Sequence, residues 1–236
     1  IMNKGSLHKL KGSLGEPVDY ALQLDETEFA LNDRLERKIS LKFTGKINCI
    51  NCKRDIKKSF QNGYCFPCTR KLAACDICMV RPELCHFEDG TCREPEWAKK
   101  NCFIPHYVYL ANSSGLKIGI TRRLPSRWID QGAVQALKIL KVSNRYHSGV
   151  FEKVFGTHIS DKTNWRKMLK GEVDSADLEA KRDELFELCG EALEALEEEY
   201  GEDSMEFIED DDVLNIEYPV IEYPQKITSL NFDKTP

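Results

Sequence analysis

Four cysteines are spaced so that their thiolates could bind a single metal ion. Two C-x-x-C pairs stand twelve residues apart and supply Cys49, Cys52, Cys65 and Cys68. The short turn in each pair directs two thiolates to the same ion, and two such turns complete a tetrahedral zinc site with no open position. A site closed in this way is structural, so the spacing predicts a zinc ion that stabilises the fold around it.

A second group of potential ligands follows directly in the chain: Cys75, Cys78, Cys85, His86, Cys92, Cys102 and His106. One tetrahedral ion needs only four of these. The preferred set is Cys75, Cys78, Cys92 and Cys102, with Cys85, His86 and His106 as competitors. Thiolates suit both zinc and iron–sulfur clusters, and zinc is the preferred interpretation. We therefore expect two structural Zn²⁺ ions.

The cysteine content also bears on the compartment. The chain has 236 residues and 10 cysteines, and three C-x-x-C pairs account for six of the cysteines. In a long chain whose first residues hold no apolar signal core, this pattern favours thiolates on metal in a reducing compartment over disulfides. No run approaches the roughly eighteen apolar residues of a membrane span. The expectation is a cytoplasmic protein without a membrane segment.

Charge is strongly segregated behind a formal net charge of −5. Residues 45–170 carry 23 Lys and Arg against 10 Asp and Glu, a net of +13, whereas residues 171–215 carry 2 against 19, a net of −17. A basic block of this size is typical of a surface that binds nucleic acid. The alternative is a basic surface that only pairs with the chain's own acidic segment.

The hydrophobic pattern predicts an α+β fold. Two apolar runs, residues 107–111 and 116–121, read as a hairpin, and residues 136–142 read as a third strand of a small antiparallel sheet with flanking helices. Alternating apolar residues in 37–43 predict a half-buried strand. Residues 175–200 predict an amphipathic helix with an acidic outer face. Its apolar stripe is expected to pack on the core: Leu178, Leu185, Leu188, Cys189, Ala192, Leu193 and Leu196.

These features divide the chain into five segments. They are an N-terminal β-rich segment (1–44), a zinc-ribbon-like Cys-rich region (45–106), an α/β module (107–170), an acidic helix and loop (171–212) and a C-terminal β segment (213–236). The two terminal β segments are candidates to pair with each other.

The α/β module resembles the GIY-YIG nuclease superfamily. The residues that carry the resemblance are Tyr107-Val108-Tyr109, Lys117-Ile118-Gly119, Arg127 and Glu152. It implies that Tyr107 and Tyr109 act as general base or hydrogen-bond partners. Arg127 would clamp a phosphate, and Glu152 would bind one Mg²⁺ or Mn²⁺ ion.

The match to this superfamily has two departures. Lys117 stands where the superfamily usually has tyrosine, as in a related branch with a KIG motif, and Gln131 stands where many nucleases have histidine. Further residues are candidates for nucleic-acid contact: Lys117, Gly119, Arg122, Arg123 and Asn164. Gly119 would let the backbone approach the substrate.

Most of the chain also resembles the bacterial family catalogued as domain of unknown function 2797. The segments that carry this resemblance are Gly63–Cys65, Cys85–Phe87, Gly90–Pro95, His106–Lys117, Arg127–Ala133 and Asp161–Arg166. The resemblance implies a family and no particular activity. It also implies that β-structure continues beyond residues 233–236.

Three functions are consistent with these features. The first is a zinc-stabilised protein that binds DNA or RNA through a GIY-YIG-like module without cutting it. The second is a divalent-metal-dependent endonuclease on DNA or RNA. The third is a scaffold whose acidic helix, residues 175–200, binds a protein partner. The chain is expected to be a monomer.

Overall fold

The computed structural model describes residues 3–61, 63–160 and 162–229. Within these ranges the strands are β1 (Lys11–Ser13), β2 (Asp19–Leu24), β3 (Thr27–Ala30), β4 (Ile47–Asn48), β5 (Asp55–Ile56), β6 (His106–Asn112), β7 (Leu116–Thr121), β8 (Gln135–Val142), β9 (Met205–Phe207) and β10 (Leu214–Asn215). The helices are α1 (Phe66–Lys71), α2 (Pro95–Asn101), α3 (Ser126–Asp130), α4 (Arg145–Phe155), α5 (Trp165–Leu169) and α6 (Leu178–Tyr200). Short 3-10 turns lie at Asn32–Arg34, Ala73–Cys75, Ile77–Met79, Pro82–Leu84 and Glu202–Ser204. The α+β prediction is confirmed.

The central sheet is the predicted three-stranded unit with two short additions. Its strands run in the order β8-β6-β7, all antiparallel, and β9 and β10 both pair with β8. The predicted hairpin is β6-β7, in which Tyr109 lies opposite Gly119. The pairing of β6 with β8 shifts its register between Val108 and Tyr109.

The sheet separates two apolar layers, because alternate side chains of a strand point to opposite faces. Val108, Leu110 and Ile118 face a large core covered by α4 and α6. The opposite face is smaller, and there Tyr109 packs with Trp128 of α3. The second layer thus holds an aromatic residue of the β6 motif and the helix that carries Arg127.

Helix α6 packs on the large core, as the sequence predicted. Leu185, Cys189 and Leu193 are buried there. The assignment of Leu188 to the same stripe was wrong, because its side chain is 52% exposed. Successive residues of an α-helix are about 100° apart, which turns Leu188 away from the face that buries Cys189. The helix presents mainly carboxylates to solvent.

The terminal segments differ from the expectation in detail. The N-terminal strands are β1–β3, and the strand predicted for residues 37–43 was wrong, with Ile39 and Leu41 about half exposed. Apolar alternation alone does not form a strand when no neighbouring backbone supplies hydrogen bonds. The N- and C-terminal segments meet where the Val18 N–H donates to the Glu217 carbonyl at 2.8 Å. Residues 230–236 of the predicted C-terminal β segment lie outside the described residues.

Candidate metal centre and polar cluster

The four cysteines of the two C-x-x-C pairs form one compact group, called here the knuckle centre. Cys49 follows β4, and Cys65 directly precedes α1, whose first turn contains Cys68. All four sulfur atoms lie within 4.8 Å of one another. The Cys52 and Cys65 sulfurs are 3.7 Å apart, close to the edge of about 3.8 Å in a tetrahedron with zinc–sulfur bonds of about 2.3 Å. The group could hold a metal ion.

Polar groups around the knuckle centre favour the thiolate forms of Cys49 and Cys52. At Cys65 a backbone hydrogen bond from Cys68 is outweighed by burial and the neighbouring thiols, which raise the pKa to about 11. The Cys65 N–H donates to Cys49 Sγ at 3.2 Å, and Arg54 Nε donates to Cys52 Sγ at 3.2 Å. Burial raises the pKa of the Cys49 thiol, but backbone hydrogen bonds from Cys52, Cys65 and Asn51 outweigh it and lower the pKa to about 6. Thiolate is the form that binds a metal ion.

Gly63 closes the turn between the two knuckles. Its φ is +128°, and a Cβ there would lie 2.6 Å from Cγ2 of Ile50. The Ile50 N–H donates to the Gly63 carbonyl at 2.9 Å. Only glycine adopts this backbone without strain while another chain segment approaches so closely.

The second group of ligands is arranged differently from the prediction. Within the described residues, the other set of metal-ligating atoms lying within 4.8 Å of one another is Asp76, Cys78 and His86. Asp76 was not predicted, and its carboxylate is paired with Arg93 Nε at 2.7 Å. Cys75 belongs to neither set. Burial raises the pKa of Cys75, the charge of Arg93 opposes the rise, and Cys49 of the knuckle centre adds to it.

His106 is a buried histidine at the start of β6. Its Nδ1 lies 2.8 Å from the Ile104 carbonyl oxygen, and its Nε2 has no hydrogen-bond partner among the described residues. Burial lowers the pKa of His106 to about 4. The ring is therefore neutral at physiological pH.

Around Tyr109 the structure brings several predicted site residues together. The buried Tyr109 hydroxyl donates to Gln131 Oε1 at 2.7 Å, and Lys117 Nζ donates to the same oxygen at 2.6 Å. Burial raises the pKa of Tyr109 to about 12, Arg127 opposes this with its charge and a hydrogen bond, and the Glu152 charge adds to it. We call these five residues the Tyr109 cluster: Tyr109, Lys117, Gln131, Arg127 and Glu152.

Gly119 has a clear role beside this cluster. It lies opposite Tyr109 in the hairpin, and a Cβ at Gly119 would lie 2.6 Å from the Tyr109 hydroxyl oxygen and 2.7 Å from Cζ. Glycine therefore makes room for the phenol ring over β7. This steric role differs from the one predicted from the sequence, in which Gly119 lets a substrate approach the backbone.

The remaining predicted residues lie around the cluster or away from it. Tyr107 is half-buried, with Lys138 Nζ 5.8 Å from its ring centroid. Arg122 donates to Asn101 Oδ1 at 2.9 Å, and Arg123 is exposed. Asn164 is exposed and caps α5, because its side chain accepts from the Lys167 N–H at 3.3 Å.

Arg145, the first residue of α4, was not singled out from the sequence. Its guanidinium donates to the Met79 carbonyl at 2.6 Å. Burial lowers the pKa of Arg145, the Cys102 and Cys78 thiols oppose this, and the charges of Arg122 and Arg127 add to the lowering. Arg145 therefore lies within electrostatic range of Arg122 and of Arg127, which is a member of the Tyr109 cluster. A lone arginine after a loop carries no sequence signal for such a position.

The fold and site define an α+β protein with a four-cysteine centre that could hold a metal ion. The chain belongs to the family described as Protein of unknown function (DUF2797), whose model matches residues 36–236. Searches of curated proteins and of solved structures gave no match. The predicted family is confirmed. No helix of the described residues is both long and apolar enough to cross a bilayer.

Proposed function

We propose that this chain is a zinc-stabilised nucleic-acid-binding protein whose GIY-YIG-like module binds a backbone phosphate at the Tyr109 cluster. The observation that carries the proposal is the convergence of Lys117 and Arg127 on the Tyr109–Gln131 pair. Gln131 Oε1 accepts from both the phenol and the lysine, which fixes their positions. The exposed Arg127 would supply the N–H donors to a phosphate, and the buried Lys117 would add positive charge behind it.

The surrounding charge supports an anionic ligand. Arg145 lies within electrostatic range of both Arg122 and Arg127, and Glu152 is the carboxylate that acts on Tyr109. Like charges held close together are unfavourable unless an anion compensates them. The acidic helix α6 covers the large core on the other face of the sheet from Tyr109, so the basic side of the module remains separate from it.

Binding can be tested by fluorescence anisotropy with labelled duplex and single-stranded DNA and RNA at several salt concentrations. We expect affinity to fall with salt, and Arg127→Ala to weaken binding and reduce the log–log salt slope by about 0.9 for duplex DNA, the loss of one phosphate contact. The matched control is Lys181→Ala, which removes a cation paired with Glu184 on α6. No binding at low salt, or equal effects of the two substitutions, would refute the proposal.

A divalent-metal-dependent endonuclease is the second candidate, favoured by the position of Glu152 near Tyr109. Glu152 would hold one Mg²⁺ or Mn²⁺ ion, which would neutralise charge on the scissile phosphate and activate water. Tyr109 has a pKa of about 12, so at neutral pH it would act as a hydrogen-bonding phenol. Arg127 would stabilise the transition-state charge.

The two candidates differ in one measurement. With Mg²⁺ or Mn²⁺ and the nucleic acid that binds best, wild type and Glu152→Gln should show the same background cleavage if the module only binds. Cleavage by wild type that Glu152→Gln and Arg127→Ala both abolish would establish the endonuclease instead. Glu83→Gln, which alters a carboxylate paired with Lys153 of the same helix, is the control.

A further inference from the structure

Four cysteines outside the knuckle centre lie on chain segments that touch one another. The segments around Cys85 and Cys92 are joined because His86 Nδ1 and Thr91 Oγ1 are 2.7 Å apart. The Arg93 Nε–Asp76 Oδ2 contact at 2.7 Å joins the segment around Cys92 to the segment that holds Cys75 and Cys78. Each contact involves a residue within two positions of a cysteine.

The segment around Cys102 completes the arrangement. Phe103 packs against Phe87, with ring centroids 4.5 Å apart, which brings Cys102 towards Cys85. Arg145 links Cys102 to Cys78, because its N–H donates to the Cys102 carbonyl at 2.8 Å and its guanidinium donates to the carbonyl of Met79 at 2.6 Å. Independent contacts thus bring together the chain segments that carry the four cysteines, although their sulfur atoms do not form a group within 4.8 Å of one another.

We propose that Cys78, Cys85, Cys92 and Cys102 bind a second zinc ion through four thiolates. Four soft sulfur ligands with no open position are the donor set of a structural zinc site. All four thiols are partly buried. Cys85 takes the place that the sequence had given to Cys75.

The trio of Asp76, Cys78 and His86 is the competing ligand set, since its atoms already lie within 4.8 Å of one another. Asp76 is poorly suited to a cation, because its Oδ2 contacts Arg93 at 2.7 Å and its Oδ1 accepts from the Ile77 N–H at 2.6 Å. His86 Nε2 faces the same carboxylate at 3.4 Å. These groups form an ion-pair network that braces the loops carrying the thiols.

Arg145 gives a further argument for an anionic centre here. It is partly buried, its buried Nε has no hydrogen-bond partner among the described residues, and Arg122 and Arg127 add like charge nearby. Burying a cation is unfavourable unless a counter-charge lies close to it. Four thiolates around one Zn²⁺ carry a net charge of about −2, which would compensate Arg145 at the site where it contacts the Cys102 backbone.

Metal content of the purified full chain tests the proposal. By mass spectrometry of the bound metals we expect about two zinc ions per chain in wild type. Cys85→Ser should lose about one of them, whereas Cys75→Ser and His86→Ala should retain both. Cys75→Ser is the control, since that thiol is buried and lies in the same region. Loss of zinc in Cys75→Ser or His86→Ala, with retention in Cys85→Ser, would overturn the ligand set.

A spectroscopic measurement covers the case in which Cys85→Ser fails to fold. Wild-type chain reconstituted with Co²⁺ should show sulfur-to-cobalt charge-transfer absorbance that rises by equal steps for the first and second equivalents. If the absorbance gained with the second equivalent is only about a quarter of that gained with the first, the second Co²⁺ ion has one thiolate ligand, as the Asp76, Cys78 and His86 trio would supply. That result would overturn the proposal. Iron with labile sulfide in the purified chain would also overturn it.

Discussion

Replacing Gly119 by alanine should destabilise the protein through one defined clash. The new Cβ would lie 2.6 Å from the Tyr109 hydroxyl oxygen and 2.7 Å from Cζ, well inside the roughly 3.5 Å of an ordinary contact. The ring cannot move easily, because Tyr109 is fully buried, packs edge-on to Trp128 at 6.0 Å and donates to Gln131 at 2.7 Å.

The magnitude follows from these contacts. Overpacking a buried site costs about 1–3 kcal/mol, and loss of the Tyr109–Gln131 hydrogen bond costs about 0.5–1.5 kcal/mol more. The lower entropy of unfolded alanine offsets about 0.5–1 kcal/mol. We therefore expect Gly119→Ala to lower the free energy of unfolding by about 1–3 kcal/mol, measured by urea unfolding of the metal-loaded chain with far-UV circular dichroism.

Gly190→Ala, in helix α6, is the matched control, because no atom of the described residues outside the adjoining helix backbone lies within 4 Å of a Cβ built there. It should raise the free energy of unfolding by about 0.5–1 kcal/mol. A Gly119→Ala variant as stable as wild type would refute the reasoning. So would an equal cost of Gly119→Ala in a Tyr109→Ala background, since the clash requires the ring.

Two further predictions concern Tyr109 and the knuckle centre. Burial raises the pKa of Tyr109 from 10.0 to about 12, so the unfolded state ionises first as pH rises. The resulting stability, up to about 2–3 kcal/mol, is present below pH 10 and lost between about pH 10 and 12. Urea unfolding of Tyr109→Phe should show a smaller loss of unfolding free energy over this pH range than wild type. An equal loss in the two proteins would contradict the prediction. Cys65→Ser should abolish metal binding at the knuckle centre and expose residues 45–72 to proteolysis, because this region has few core-forming residues. Cys189→Ala, in α6, should leave both unchanged, and protease resistance of metal-free Cys65→Ser would count against a structural metal.

The parts of the fold that the sequence predicted well are those with local signals. The β6-β7 hairpin has its turn residues and apolar runs, and α6 has a long apolar stripe. The strand predicted at residues 37–43 failed because alternation does not provide a pairing partner. The true N-terminal strands, β1–β3, pair with one another, and that pairing depends on tertiary context more than on composition.

The same distinction, between local sequence signals and tertiary context, applies to the sites. The knuckle centre was readable because C-x-x-C spacing fixes local geometry, and the four sulfurs do lie together. The sequence showed Gln131 only as a departure from a nuclease pattern. That it accepts hydrogen bonds from both Tyr109 and Lys117 could be seen only in the folded structure. Asp76 and Arg145 were missed, since their partners come from distant segments and neither belongs to a recurring motif.

The Cys-rich region and the α/β module are joined at helix α4, which links the two proposed sites. Gly149 of α4 lies so close to the Pro82–Leu84 turn that a Cβ there would be 2.6 Å from Cβ of Pro82. Arg145, at the start of the same helix, contacts backbone beside Cys78 and at Cys102. Arg122 reaches Asn101 from the end of β7. Because Arg145 lies within electrostatic range of both Arg122 and Arg127, a metal ion that fixes the Cys78–Cys102 loops would also fix the positive charge beside Tyr109. The Cys-rich region would therefore belong to the architecture of the proposed phosphate site, although none of its cysteines is part of the Tyr109 cluster.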